Sequence, residues 1–147
     1  MSTTTHSMNL TATTHRAVYG IVGGLAGGVV FGLLMAMMDM IGMVAQLVGS
    51  SSAAVGWIVH LAISAFIGAS FAVLLGSLAK TLVPAALVGM GYGVVWWVLG
   101  ALLIMPAQLG MPVFELNTTA WQSLMGHLLF GLVLGIVYSV LARREHD

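Results

Sequence analysis

The chain has 147 residues, of which 60% are hydrophobic and 5% are charged, and its formal net charge is zero. Together with a mean hydropathy of +1.08, this composition indicates an integral membrane protein with too little polar sequence for a soluble catalytic domain. A neutral chain offers no electrostatic surface for nucleic acid. Since the sequence contains no cysteine, disulfides, thiolate metal sites and cysteine catalysis are excluded. We therefore expect a membrane protein that is not an enzyme.

Residues 1–16 are rich in threonine and lack apolar periodicity, and we expect a disordered cytoplasmic tail there. Four apolar stretches follow, each close to the roughly 20 residues that a helix needs to cross a bilayer; they lie at 17–39, 57–79, 82–105 and 121–142. The first is too long for a cleaved signal peptide. The sequence predicts an all-α domain over residues 17–142 with four transmembrane helices, followed by a short tail at 143–147.

The basic residues all lie on one side of the predicted spans. Arg16 precedes the first span, Lys80 lies between the second and the third, and Arg143 and Arg144 follow the fourth. Basic residues beside short loops remain in the cytoplasm. We therefore predict a multi-pass protein of the cell (inner) membrane with both termini cytoplasmic and two longer loops facing outward.

The second half of the chain resembles the first. Segment 28–30 matches segment 93–95, and after two extra loop residues His60 aligns with His127. Each half would be a two-helix hairpin, and an even number of spans gives both copies the same orientation. The sequence predicts two tandem, similar hairpins, which form a parallel repeat about an axis along the membrane normal.

Small residues recur at every fourth position of the spans, which places them on one helix face. In the first and second spans they are Gly20, Gly24, Gly28, Gly32, Ala36, Ser64, Gly68, Ala72 and Gly76. Such stripes let helix backbones approach closely, so they predict glycine-rich helix packing. Counting back four residues along the stripes of the second and fourth spans reaches His60 and His127. Both histidines are therefore expected on packed faces and not against lipid.

Costly polar groups gather at the predicted outer side. Asp39 closes the first span, and Met35 and Met43 lie one turn before and after it, on the same helix stripe. Most of the 11 methionines lie on this side as well. Ionisable groups near a bilayer usually face the interior of the bundle and mark functional sites. The candidate site thus consists of His60, His127, Asp39, Met35 and Met43.

The sequence leaves four interpretations of this site open. Imidazole and thioether ligands suit copper, and two histidines with a carboxylate could hold zinc or another divalent ion. His60 and His127, on different helices at similar depth, could instead be the axial ligands of a haem. They could line a path for an ion or small solute. Finally, the histidines could bond to backbone carbonyls while the methionines fill apolar gaps, with no ligand at all.

We predict a small polytopic membrane protein that handles an ion or small solute through an outer-facing site of histidine, aspartate and methionine. One alternative is a structural or accessory subunit of a larger membrane complex, and a second is a bis-histidine haem electron carrier. Four short helices form a thin wall around any path. A conducting form would therefore be a homo-oligomer joined through the glycine faces.

Overall fold

In the computed structural model, residues 3–145 are described, with side chains described from residue 9 onward. The chain is all-helical over these residues. Four helical segments are long and apolar enough to cross a membrane; they are Asn9–Met37, Ala53–Leu78, Leu82–Gln108 and Thr118–Arg144. The predicted all-α membrane fold with four spans is therefore confirmed, with the span ends displaced.

The four spans are connected by short elements. Helix α1 (Thr3–Met37) is followed by the short α2 (Ile41–Gln46). Helix α3 (Ala53–Leu75) ends in a 3₁₀ turn, Gly76–Leu78. Helix α4 (Leu82–Trp96) continues without a break as a π-helix, Trp97–Ile104, and then as α5 (Met105–Gln108). Helix α6 (Thr118–Arg144) completes the chain.

The N-terminal tail differs from its prediction. Helix α1 begins at Thr3, so the expectation of disorder is wrong for residues 3–16. The hydroxyl of Thr14 donates to the carbonyl of Leu10 at 2.8 Å, and His15 pairs with Glu145 beyond the end of α6. The tail thus prolongs the first span and is tied to the other end of the chain. Residues 146 and 147 of the predicted second tail lie outside the described part.

Asp39 ends helix α1 through its backbone conformation. Its φ is 55°, in the left-handed region that aspartate tolerates better than most residues. The next amide, Met40 N–H, donates to the Met35 carbonyl at 2.8 Å, which is the bond of a Schellman C-cap. Gly49 and Gly110 end α2 and α5 in the same way, with φ of 74° and 68°.

Within each hairpin, the small-residue stripes form the contact between the helices. A Cβ atom on Gly20 would overlap the Gly68 backbone, and one on Gly24 would overlap the Ser64 carbonyl. In the second hairpin Gly89 meets Gly131 in the same manner. The predicted packing faces are confirmed, and the contacts of the two hairpins follow the register of the predicted repeat. The duplication itself stays a prediction.

Because the stripes are covered by helices of the same chain, they are not free to join copies. Gly135 of α6, for example, is so close to the Ala85 carbonyl of α4 that a Cβ would overlap it. The expectation that a homo-oligomer forms through the glycine faces is therefore wrong as to the surface. Any contact between copies would need another face.

The helices are arranged in the order α3, α1, α6, α4. Helix α1 packs along both α3 and α6, and α6 packs along α4, whereas α3 and α4 make few contacts. Near the middle of the bundle, Ser70 of α3 and Tyr92 of α4 share a hydrogen bond of 2.6 Å. Further toward the loop end, Phe66 of α3 and Trp96 of α4 pack edge-to-face, with ring centroids 6.4 Å apart. We call the end with both termini the terminal end and the end with loops 38–52 and 109–117 the loop end.

Candidate functional site

A cavity of about 480 Å³ opens between the two hairpins in the loop-end half of the bundle. Its walls come from α1, α2, α3, the π-helix, α6 and the loop before α6, and they are mostly apolar. His60 and His127 both line it. Since ionisable side chains at this depth are costly, the cavity is the place where a function is to be sought.

His60 is held by backbone bonds between α1 and α3. Its side chain is buried, and its Nε2 donates to the carbonyl oxygen of Gly28 at 2.8 Å. Ser64, one turn along α3, donates its hydroxyl back to the His60 carbonyl at 2.7 Å. A carbonyl oxygen can only accept, so Nε2 carries the proton and the neutral ring offers Nδ1 as an acceptor.

His127 is held within its own helix. Its Nδ1 donates to the Ser123 carbonyl at 2.7 Å, and the Ser123 hydroxyl lies 3.3 Å from the same nitrogen. Because the strong partner is again a carbonyl, Nδ1 carries the proton and Nε2 is the acceptor of the neutral ring. Each histidine therefore uses one nitrogen to fix its ring.

The other ring nitrogen of each histidine, Nδ1 of His60 and Nε2 of His127, has no hydrogen-bond partner among residues 3–145. The buried side-chain nitrogen and oxygen atoms that lack a partner in this part of the chain are Trp96 Nε1 and Ser139 Oγ. The two imidazole nitrogens are therefore not sealed inside protein. Both residues line the cavity, and their neutral rings keep these two nitrogens as acceptors.

Phe31 links the two histidines. Its ring centroid lies 5.5 Å from that of His60 and 4.8 Å from that of His127, with edge-to-face geometry in both pairs. The sum of these distances is the upper limit for the separation of the two imidazole centroids. Gly126 makes this position possible, because a Cβ there would overlap the Phe31 ring. The expectation that the two histidines share one interior region agrees with this geometry.

Methionine is the most frequent residue type in the cavity wall. Five methionines line it among the described residues: Met35, Met40, Met43, Met105 and Met111. Both methionines of the predicted site are among them. The wall is therefore apolar, flexible and polarisable, while Glu115 and Asn117 from the loop before α6 add polar groups.

Asp39 lies outside the cavity wall. It is exposed, it ends α1 in a left-handed conformation, and it does not line the cavity. Over residues 3–145, no three His, Asp or Glu side chains are placed to hold one metal ion. The predicted set of Asp39, His60 and His127 is therefore not assembled, because the turn at Asp39 directs this residue away from the bundle.

The arrangement does not fit a haem held by two histidines. Nε2 of His60 is bonded to the Gly28 carbonyl, which leaves only Nδ1, the nitrogen beside the crowded Cβ. Phe31 packs its ring edge-to-face with both imidazoles. A flat macrocycle would need the space next to both rings that this phenyl group fills.

Aromatic side chains pack together between the cavity and the terminal end. Phe71 is fully buried, and its ring lies 5.5 Å from Tyr92 and 5.7 Å from Tyr138. The bond between Ser70 and Tyr92 joins α3 to α4 at the same level. These packed rings lie on the terminal-end side of Ile67, which lines the cavity.

This region also contains Phe31, Trp96, Gly100 and Gly126, which were not predicted from the sequence. Gly126, directly before His127, is a signal in the sequence for a close contact, since a glycine there leaves space for a large side chain such as that of Phe31. Gly100 lies in the π-helix at the cavity wall, with no atom within 4 Å of a Cβ built on it. The eight apolar residues of the π-helix show no pattern that distinguishes them from an ordinary span.

The chain matches the sequence pattern of one protein family. A family of unknown function, DUF6789, matches residues 14–147, which includes all of the cavity and both histidines. Neither the curated proteins nor the solved structures include a match to the chain. Since the match extends over nearly the whole sequence, the chain belongs to the DUF6789 family, whose function is unknown.

Proposed function

We propose that the protein handles a small solute, which it takes into the cavity lined by His60 and His127 and holds there without catalysing a reaction. The observation that carries this proposal is the cavity itself, which is lined by two anchored imidazoles that each keep one nitrogen without a partner among residues 3–145. Mostly apolar walls with a few fixed polar groups are typical of small-molecule sites.

The size of the cavity favours a molecule over a bare ion. Its volume of about 480 Å³ lies within the range of roughly 300–1,000 Å³ of ligand pockets. A dehydrated ion would need several ligands drawn together around it, and His60, His127 and Glu115 do not form such a group. We therefore favour a solute of several heavy atoms.

We further propose that the cavity opens on the outer side of the cell membrane. The basic residues Arg16, Lys80, Arg143 and Arg144 lie at the terminal end, which supports a cytoplasmic position for that end. The solute would then reach the site from the outside or from the outer leaflet. Labelling single cysteines introduced at Lys80 or Glu115 in intact cells tests this orientation, because the chain has no cysteine of its own.

Filling the cavity tests the proposed function. Gly100→Phe places a large ring at the cavity wall where no atom lies within 4 Å of the new Cβ. Its matched control is Leu99→Phe, since Leu99 is 41% exposed and does not line the cavity. Native mass spectrometry of protein in lipid nanodiscs should show a bound small molecule in the wild type and in Leu99→Phe, and none in Gly100→Phe.

A wild-type protein that carries no small molecule, and that releases none after extraction from its native membrane, contradicts the proposed function. Equal occupancy in Gly100→Phe and Leu99→Phe would place any bound molecule outside the cavity.

The methionines favour a soft metal ion as a second candidate solute. Thioether and imidazole ligands select Cu(I), and five methionines share the cavity with two imidazoles in the described residues. Calorimetric titration with Ag(I), a stable substitute for Cu(I), should then show one site that is lost when Met35 and Met43 are replaced by leucine. Unchanged binding in that variant removes this candidate. The accessory-subunit alternative and a homo-oligomeric state remain predictions that co-purification would test.

A further inference from the structure

We infer that the ligand of this cavity is a neutral aromatic alcohol, of the phenol class, that enters from the bilayer between α3 and the π-helix. This inference rests on the proposed function and adds the chemistry of the ligand and its route. Three features carry it: the hydrogen-bonding polarity of the two histidines, the aromatic wall, and an opening on the lipid-facing side.

The histidines select for a hydrogen-bond donor. His60 and His127 each donate their N–H to a backbone carbonyl. The neutral rings therefore offer only acceptors to a ligand. A hydroxyl group can donate to either nitrogen, whereas an ether or ketone oxygen finds no partner there. Within an apolar wall this difference is amplified, because a polar group without a partner is costly.

The wall favours a flat ring on the ligand. Phe31, Phe66 and Trp96 all line the cavity, and aromatic rings prefer edge-to-face or offset contacts with one another. Phe66 and Trp96 already pack in this way, with centroids 6.4 Å apart. Glu115 also lines the cavity, and its carboxylate opposes an anionic ligand. A neutral phenol meets both conditions.

The opening faces the hydrocarbon of the membrane. Ile63, Phe66 and Ile104 line the cavity and are nevertheless 40%, 65% and 45% exposed. At 1.5 Å per residue, Ile63 and Phe66 lie roughly 9 and 14 Å deeper than Trp57 at the loop end of α3. Since half of a bilayer core is roughly 15 Å thick, this opening lies at the depth of the lipid tails in the nearer leaflet.

Two probes of the same shape test the ligand class. The donor probe 4-propylphenol and its methyl ether 4-propylanisole are titrated into wild-type protein in nanodiscs, with protein-free nanodiscs as the correction for partitioning. At equal concentration in the membrane, the phenol should bind about tenfold more tightly, as expected for one hydrogen bond. His127→Phe keeps a ring beside Phe31 but removes the acceptor, and it should reduce this preference.

A third probe tests the route. The neutral glucoside of hydroquinone, 4-hydroxyphenyl β-glucopyranoside, carries the same phenol hydroxyl but does not dissolve in lipid, and it should show no binding at the cavity. Gly100→Phe should abolish binding of 4-propylphenol, whereas Leu99→Phe should leave it unchanged. A thermal melt of each variant verifies that the fold is retained.

The failures can be told apart. Equal affinity for the phenol and the ether, still abolished by Gly100→Phe, overturns the ligand class but leaves the proposed function intact. Tight binding of the glucoside overturns the lipid route. Binding that neither Gly100→Phe nor His127→Phe changes overturns this inference and the use of the cavity together.

Discussion

The two hairpins have the same internal packing but differ at the loop end. In the first, Gly24 of α1 meets Ser64 of α3, and in the second Gly89 of α4 meets Gly131 of α6. Yet α1 stops at Asp39 and turns into α2, whereas α4 continues through the π-helix into α5. Glycine spacing therefore determines the contact within a hairpin and does not determine how the two hairpins meet.

The contact between the hairpins is asymmetric. Helix α1 packs along α6. In the predicted repeat α1 corresponds to α4 and α6 corresponds to α3, but α4 and α3 make few contacts. A strict two-fold arrangement would give both pairs the same contact and would leave no space between α3 and the π-helix. The cavity thus exists because the second hairpin departs from the first, and π-helices often mark such functional departures.

The shared glycine packing can be broken in either hairpin, and this should give the largest effect. Gly89→Leu places a side chain against the Gly131 backbone, so α4 and α6 must separate. We expect a loss of about 3 kcal/mol in the free energy of unfolding. The control is Gly91→Leu two residues away, where no atom lies within 4 Å of the new Cβ. Reversible unfolding in mixed micelles measures both, and equal stability of the two variants would contradict the packing described.

The π-helix is where the second hairpin departs from the first, and its anchor can be removed. Trp97 donates Nε1–H to the Ala120 carbonyl at 2.9 Å, which joins the π-helix to the start of α6. Trp97→Phe keeps an aromatic ring and should cost about 2 kcal/mol, because a hydrogen bond and part of a buried side chain are lost. Trp121→Phe is the control, since Trp121 is 53% exposed. If Trp121→Phe lowers the free energy of unfolding as much as Trp97→Phe does, the hydrogen bond from Trp97 to Ala120 does not stabilise the fold.

The turn at Asp39 is the feature specific to the first hairpin, and its substitution should give the smallest effect. At a φ of 55°, Asp39→Gly should be about 1 kcal/mol more stable than Asp39→Ala, because glycine adopts this conformation without strain. Both variants should bind ligand like the wild type, since Asp39 does not line the cavity. Ligand binding that is equally weakened in both variants would show that the Asp39 side chain contributes to the site.

The sequence predicts the spans, the packed stripes and the interior position of both histidines because these features follow from hydropathy and four-residue spacing. His60 and His127 extend stripes that must face another helix. The role of Asp39 escaped prediction, because one left-handed residue ends the helix and turns its side chain outward. The π-helix also escaped prediction. Trp97 and Leu102 within it are hydrogen-bonded to Ala120 and Phe114, and only the fold brings these partners close.

The central claim is that an open cavity lies between the hairpins beside both histidines, and thiol labelling tests it most directly. Ser123 and Ser139 are both buried on α6, but only Ser123 lines the cavity. In the cysteine-free chain, Ser123→Cys should react with N-ethylmaleimide faster than Ser139→Cys, and adding Gly100→Phe should slow the reaction of Ser123→Cys. Equal rates at the two positions, unaffected by Gly100→Phe, would show that the hairpins meet without a cavity and would contradict the account.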